Sequence, residues 1–258
     1  MKLRGLAQQF SKATQRRLAN WIARRPVTLR LDIPIISFTF DDFPETAFTN
    51  GGAILDELGV KGTYYICLGL VGTEIETGRI ASRESIEKLL TSGHDLGCHT
   101  FNHCPAWETE PLEFKRSVIR NAEILHQISP IHDFTTLSFP ISYPRPATKR
   151  LIQNRFSVMR GGGQCYNSGN TDLNYIKAFF IEQCSGDISE VYELIDQNTK
   201  DRGWLVFATH DVCKDHTRFG CGPSRFKDIA TAAVASGARI LSVKQALSHV
   251  SPALSQCK

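Results

Sequence analysis

No run in this chain approaches the roughly 18–20 consecutive apolar residues of a membrane span, and its eight cysteines contain no Cys-x-x-Cys pair. The first absence excludes a membrane-spanning helix. The second leaves scattered thiols (Cys67, Cys98, Cys104, Cys165, Cys184, Cys213, Cys221 and Cys257) rather than a paired-thiol motif. The basic N-terminus lacks the continuous apolar core of a signal peptide. Reduced thiols in a cytoplasmic protein are therefore expected. Sequence repeats and low-complexity linkers are also missing. Acid is absent altogether from residues 1–26, which hold Lys2, Arg4, Lys12, Arg16, Arg17, Arg24 and Arg25. Removing those seven charges from the net +4 leaves the remainder at −3, so the body is not a basic nucleic-acid surface.

What is present suits an α/β protein. The 258 residues, 41% hydrophobic and 22% charged, supply enough apolar side chains for a real core. In the basic head, Leu3, Leu6, Phe10, Leu18, Trp21 and Ile22 fall mostly on one side of a helix, with Arg17, Arg24 and Arg25 intruding. Two readings stand: a helix lying on an anionic membrane surface, peripheral to its inner face, or a solvated helix packed on the domain edge. Pro26 ends it, giving a division at 1–26 and 27–258.

Beyond Pro26, strands and helices alternate. Ile35–Phe40 is a buried strand between Pro34 and an Asp pair. Helices are expected at Gly51–Leu58, Ser82–Thr91, Pro111–Ile128, Ser224–Ser236 and Val243–His249. Further strands are expected within Lys61–Leu68, His94–Cys98, Phe134–Phe139, Leu205–Thr209 and Arg239–Leu241. Repeated βα units indicate a parallel sheet or barrel with helices outside, whose chemistry gathers at the C-terminal strand ends. Asp41-Asp42, His99, Pro140-Ile141 and His210 all lie just past such ends.

The chemistry concentrates in Thr39-Phe40-Asp41-Asp42 and His99-Thr100-Phe101-Asn102-His103. Two imidazoles at i and i+4 point the same way on a helical turn. With one carboxylate they make three ligands for a divalent metal that keeps an open position. The other carboxylate is free to act as a base, so the set points to metal-assisted hydrolysis.

These stretches, with a late strand running into His210, resemble the polysaccharide deacetylases (the NodB-homology domain, carbohydrate esterase family 4) over about residues 33–247. The resemblance implies a distorted (β/α) barrel of seven or eight strands. It implies Asp42, His99 and His103 as ligands of a metal, most often zinc. Asp41 becomes the general base and His210 the general acid. The Thr100 hydroxyl supports the metal-binding turn, and the Ile141 backbone N–H helps hold the oxyanion. The implied reaction removes an N-acetyl group from an amino sugar of a cell-surface polysaccharide or its cytoplasmic or lipid-linked precursor. A sugar deformylase, an O-deacetylase and an inactive glycan-binding relic are the alternatives.

The pattern departs from the family's in two places. Where the third motif carries an arginine for the base carboxylate, this chain has Ser138, leaving Arg145 and Arg160 as substitutes. Arg160 precedes Gly161-Gly162-Gly163, a stretch with the freedom to bring it inward. No Asp–Trp pair that tunes the acid histidine is evident. Asp172 is the candidate partner of His210, and Asp211 is expected to point away. Cys98 reads as a buried thiol, and Cys213, His216 and Cys221 as a substrate loop rather than a second metal site. Trp107 is a sugar-stacking wall or core packing. Phe219, Gly220 and Pro223 are placed at the substrate mouth. His94, His126, His132 and His249 read as surface or structural.

Overall fold

The computed structural model describes residues 13–250 apart from 142, 185 and 186. The start of the basic head, residues 1–12, and Cys257 lie outside the described residues. Helix α1 (13–21) leads into β1 (Pro26–Thr28) and β2 (Ile35–Phe40). A π-helical stretch, Ala47–Gly52, runs into α2 (Ala53–Glu57), followed by β3 (Thr63–Ile66). The hairpin β4 (Glu74–Ile75) and β5 (Gly78–Arg79) precedes α3 (Arg83–Thr91) and β6 (Asp95–Cys98). Next come α4 (Pro111–Ile128), β7 (Thr136–Ser138), α5 (Pro146–Ile152) and β8 (Val158–Arg160). The chain closes with β9 (Asn170–Asp172), β10 (Phe179–Phe180), α6 (Ser189–Lys200), β11 (Trp204–Thr209), α7 (Pro223–Ala235), β12 (Arg239–Ile240) and α8 (Val243–Val250).

Local signals explain most boundaries. Ser82 caps α3 by accepting from the Ser85 N–H at 3.2 Å. Pro111 opens α4 at a position where the missing N–H costs nothing. Gly59, at φ 71°, lets the chain turn out of α2. The His99–His103 stretch is a correction to the expected helical turn. It is an irregular loop in which Thr100 (φ 64°) and His103 (φ 54°) take left-handed backbone angles.

Seven strands form one curled sheet in the order β10-β11-β2-β3-β6-β7-β8, every pair parallel. β11 lies along all of β2, whereas the other edge of β2 is shared. β12 pairs with its first residues, Ile35 and Ile36, and β3 with its last, Thr39 and Phe40. The sheet therefore splits at its N-terminal end and β12 fills the split. Between β8 and β10 the ring is bridged by an Arg160–Ile176 pairing and by Gln164 N–H to Ala178 O at 3.0 Å. The result is the distorted barrel of seven to eight strands expected from the sequence.

The two faces of β2 do different things. Ile36, Phe38 and Phe40 point toward the helices, where Phe38 stacks on Phe207 at 5.4 Å and meets Phe226 of α7 edge-on at 5.6 Å. Such pairs add about 0.5–1.5 kcal/mol beyond area burial. The alternate residues, Ile35, Ser37 and Thr39, face inward with Trp204 and Val206, and Trp204 Nε1 donates to Ser37 Oγ at 3.0 Å. Helix α8 packs into that inner cluster at the strand starts, where Val243 N–H donates to Thr63 Oγ1 at 2.9 Å. The apolar end of the barrel is thus sealed, and the inner-face alternation of β2 ends in Asp41 at the open end.

The described part of the basic head is docked on the body. β1 pairs antiparallel with β9, and the Arg25 guanidinium donates to the carbonyls of Phe156 (3.0 Å) and Ser157 (2.6 Å). Among the described residues no helix is long and apolar enough to cross a membrane.

Candidate active site

A cleft of about 830 Å³ opens at the C-terminal ends of the strands, lined by Asp41, Asp42, His99, His103, Ile141 and His210 among others. Four of the eight described non-glycine residues with positive φ line it (Asp42, His103, Ile141 and Gln164), and Phe43 and Thr100 are close in sequence to Asp42 and His103. Each such conformation costs on the order of 1–3 kcal/mol and persists only where the surroundings hold it. Here the left-handed turns reverse the chain immediately after β2, β6 and β7 and aim polar groups inward.

Asp42, His99 and His103 converge. Their nearest ligand atoms all lie within 4.8 Å of one another, with Asp42 Oδ1 at 3.5 Å from His99 Nε2 and 3.2 Å from His103 Nε2. The His99 Nδ1–H donates to the Ser138 carbonyl at 2.9 Å, which leaves the Nε2 lone pair facing the cluster. Burial holds the His99 imidazole down at about 4, against the opposing pull of Asp41 and Asp42, so it is neutral and able to ligate. Thr77, in the β4–β5 turn, donates to Asp42 Oδ2 at 2.9 Å. The other oxygen, Asp42 Oδ1, is buried without a hydrogen-bond partner. A buried carboxylate oxygen left unsatisfied between two imidazoles is what a cation-binding site looks like when the protein's own donors are subtracted. The donor set therefore fits a divalent metal. The Thr100 hydroxyl accepts from Cys104 N–H at 3.0 Å and ties the loop back on itself.

Asp41, one residue away, has the opposite environment. Of the two arginines considered for it, Arg160 is the one the fold delivers. Its Nη2 bonds to Asp41 Oδ1 and also donates to Ser138 Oγ at 2.7 Å. Ser138 therefore occupies the site of the missing arginine and helps orient the arginine that replaces it. Arg160 is fully enclosed, its guanidinium 5.1 Å from the Tyr65 ring centre and 5.5 Å from that of Phe180. Burial pushes the Asp41 carboxyl up, but Arg160, His99 and His210 together outweigh it and hold Asp41 at about 2.

His210 stands across the cleft. Its Nδ1 lies 3.0 Å from the Phe219 carbonyl and 3.8 Å from Glu182 Oε1, and its ring lies between those of Phe180 and Phe219. Glu182 is the site residue that sequence reasoning missed. It sits on a 3-10 turn, Ile181–Gln183, just after β10, and its Oε2 is buried without a partner. Burial pushes its carboxyl up to about 8, so it stays protonated at neutral pH. The signal was present: an acid closing the run Phe179-Phe180-Ile181, the same arrangement as Asp41 after Phe40.

Other sequence candidates lie elsewhere. Asp172 is not the partner of His210. It belongs to β9, outside the barrel, where it pairs with the buried Lys149 at 2.8 Å and accepts from Arg25 N–H at 2.8 Å. Arg145 precedes α5 on an outer groove shared with Trp107, bonded to the Trp107 carbonyl and to Glu110 (2.7 Å), so neither residue faces the cleft. Asp211 turns away to accept from Thr217 N–H (2.7 Å) and Thr217 Oγ1 (2.6 Å). Cys98 is a buried thiol pushed up to about 11 by burial, with Asn121 donating to its sulfur at 3.4 Å. Cys213 bonds to Asp211 while the exposed His216 bonds to the Thr217 carbonyl (2.8 Å), and the two form no metal cluster with Cys221 among the described residues. His94 accepts from Gly62 N–H at 2.9 Å in the core, and His126 pairs with Asp133 at the surface at 2.8 Å.

Known proteins are similar to this chain in sequence or in fold. A peptidoglycan-N-acetylglucosamine deacetylase of Bacillus cereus is 25% identical over 123 residues, 46% of this chain and 38% of that protein. The chain thus spans well under half the length of that curated relative. A family 4 acetyl xylan esterase from Clostridium thermocellum, solved with a cobalt ion, superposes with a TM-score of 0.56 at 18% identity, covering 83% of this chain and 90% of the other. The peptidoglycan deacetylase PdaC from Bacillus subtilis gives 0.56 at 15% identity, covering 85% and 92%. At these identities the structures speak for the fold. The family itself is shown by the sequence model described as polysaccharide deacetylase, which matches residues 28–157, just over half of the chain from β1 to the threshold of β8: the chain belongs to the polysaccharide deacetylase family.

Proposed function

We propose that this protein is a metal-dependent hydrolase that removes the N-acetyl group of an amino sugar, in a cell-surface polysaccharide or its precursor. The observation that carries the reading is the division of labour between adjacent carboxylates: Asp42 Oδ1 faces two imidazoles, while Asp41 is fixed by Arg160 and Ser138. Asp42, His99 and His103 would hold a divalent cation, with zinc the first choice for two imidazoles and one carboxylate. When bound, such an ion supplies the Lewis acidity that makes water a nucleophile near pH 7 and polarises the acyl oxygen.

The protein's own groups do the rest. Asp41, ionised and held in place, accepts the proton of the attacking water. The Ile141 backbone, at φ 61° on the cleft wall, offers its N–H to the developing oxyanion, where one donor is worth about 3–4 kcal/mol. His210 delivers a proton to the departing amine, with the Phe219 carbonyl fixing which ring nitrogen faces the substrate. Glu182 stays neutral beside it and adds no further negative charge to the cleft. The inactive-relic alternative rested on the missing motif arginine, and Arg160 supplies that guanidinium from β8.

The test is elemental analysis of wild type and His99→Ala/His103→Ala, with acetate release from N-acetylated and O-acetylated amino-sugar oligosaccharides and the Asp41→Asn control. One equivalent of metal that disappears in the double variant, with N-acetyl turnover lost in both variants, supports the reading. Wild type free of metal, or turnover only on O-acetyl substrates, refutes it.

A further inference from the structure

The docked end of the basic head reaches the cleft, and its chemistry goes beyond deacetylation. Lys149, fully buried on α5, donates to the carbonyls of Ala19 (2.6 Å) and Ile22 (3.2 Å) at the end of α1, and pairs with Asp172 at 2.8 Å. A helix leaves its last carbonyls without partners, and here an ammonium supplies them. Asn174 Nδ2 donates to the Ala23 carbonyl at 2.9 Å just beyond. The end of α1 is therefore pinned by a buried ion pair and not merely laid against the surface.

One turn back along the pinned helix, Arg16 lines the catalytic cleft. It adjoins an aromatic flank in which Tyr175 lies 6.3 Å from Phe139 and 5.8 Å from Tyr143, ring centre to ring centre. Tyr175 fits there because Gly161 has no side chain; a Cβ would come within 2.2 Å of the ring. These packed rings make that side of the cleft a rigid apolar backing. The charges differ along the same cleft. Arg160 is taken by Asp41, and Arg218 pairs with Glu76 at 2.9 Å. Arg16 makes no ion pair with a carboxylate among the described residues. A guanidinium with no protein anion, lining the same cleft as the Asp42–His99–His103 cluster, is suited to bidentate capture of an oxyanion.

We propose that α1 is a wall of the substrate cleft and that Arg16 selects glycans carrying an oxyanion, phosphoryl or carboxylate, next to the acylated sugar. This deepens the function proposed above and rests on it. The basic head then acts in substrate recognition through the part of it that is pinned to the barrel.

The test is calorimetric binding, at low salt, of N-acetylglucosamine, N-acetylglucosamine 1-phosphate and N-acetylmuramic acid to wild type, Arg16→Ala and Arg16→Lys. Wild type should favour one of the two anionic sugars over the neutral one by roughly tenfold, a preference that shrinks as salt screens it. Whichever anion wins distinguishes phosphoryl from carboxylate. Arg16→Ala should abolish the preference, and Arg16→Lys should keep part of it, since charge remains but the planar fork does not. Lys149→Met, which unpins α1, should abolish it by a separate route. No preference in wild type, or one that survives Arg16→Ala, overturns the proposal. Acetate release by wild type from neutral N-acetylated oligosaccharides is scored separately and bears only on the enzymatic reading.

Discussion

The two walls of the cleft are built by different means. On the wall of Asp42, His99 and His103, the backbone sets the positions. Left-handed residues reverse the chain after β2 and β6, the Ser138 carbonyl fixes the His99 tautomer, and Thr100 closes its loop on Cys104. On the wall of Asp41, Arg160, Glu182 and His210, side chains from distant strands hold one another. Arg160 reaches Asp41 across 119 residues of sequence, and Glu182 approaches His210 from a turn 28 positions earlier. The first wall commits to geometry and accepts strain for it. The second commits to charge, with one carboxyl pulled down to about 2 and another pushed up to about 8. A metal site needs positions fixed to tenths of an ångström, whereas proton transfer needs protonation states set correctly.

The comparison breaks most completely on the first wall. Asp42→Asn keeps the shape and Thr77's position but replaces the carboxyl group that faces both imidazoles. Metal content should fall from near one equivalent to near zero, and activity to background, with only a modest change in the urea midpoint. Chelator treatment of wild type should give the same loss, restored by adding back zinc or cobalt. Full activity after verified metal removal would sink the assignment of this wall.

Arg160→Met should do intermediate damage on the second wall. Breaking one partner out of a buried pair costs about 3–5 kcal/mol of stability. The pH dependence is the sharper readout. In wild type the Asp41 carboxyl is depressed, so its contribution to stability is present above the unfolded value near 3.8 and lost as pH falls through about 2. Without Arg160 the burial remains and its largest opposing charge is gone, so the Asp41 pKa rises. The acid limb of kcat/KM should move upward in pH, and activity at pH 7 should fall by roughly 10- to 100-fold, less than the full contribution of a general base. An acid limb that stays where it is in wild type would show that Arg160 does not set the state of Asp41.

The first wall was legible in the sequence because each part lies within a few residues of a strand end. Phe40-Asp41-Asp42 and His99 to His103 are contiguous words, and inner-face alternation along Ile35–Phe40 already points the next residue into the barrel. Apart from β1 and the β4–β5 hairpin, the element pattern was readable for the same reason up to β7, and again from β11 onward. The stretch between them was not. β8, β9 and β10 have two or three residues each, too short for periodicity to show, and β9 pairs with the N-terminal β1 rather than with the barrel. Asp172 and Arg145 were misplaced because proximity in sequence to site-like residues says nothing about which side of the sheet a loop lies on. Arg160 came through as a candidate because three glycines follow it, but its pairing with Asp41 is a tertiary fact. Glu182 and Arg16 belong to the same class: their roles exist only once the barrel has closed.

Glu182→Gln should have the smallest effect, and it separates charge from shape on the second wall. The substitution keeps the volume and hydrogen-bonding capacity of the neutral acid but cannot ionise. Because burial raises this carboxyl from its ordinary 4.5 to about 8, the folded state holds a proton that the unfolded chain releases. The associated stability is fully present below about 4.5 and lost as pH rises through about 8. The variant should therefore unfold with a flatter pH dependence across that window, the two stability profiles running parallel only below about 4.5. At pH 7 its kcat should drop only a few-fold, since His210 keeps the Phe219 carbonyl as its fixed partner at 3.0 Å. Above pH 8 the two enzymes should diverge, because only wild type gains a negative charge 3.8 Å from the His210 ring nitrogen. Stability and rate profiles that both superpose on wild type would mean that the protonation of Glu182 governs neither, and that the second wall is governed by shape as much as the first.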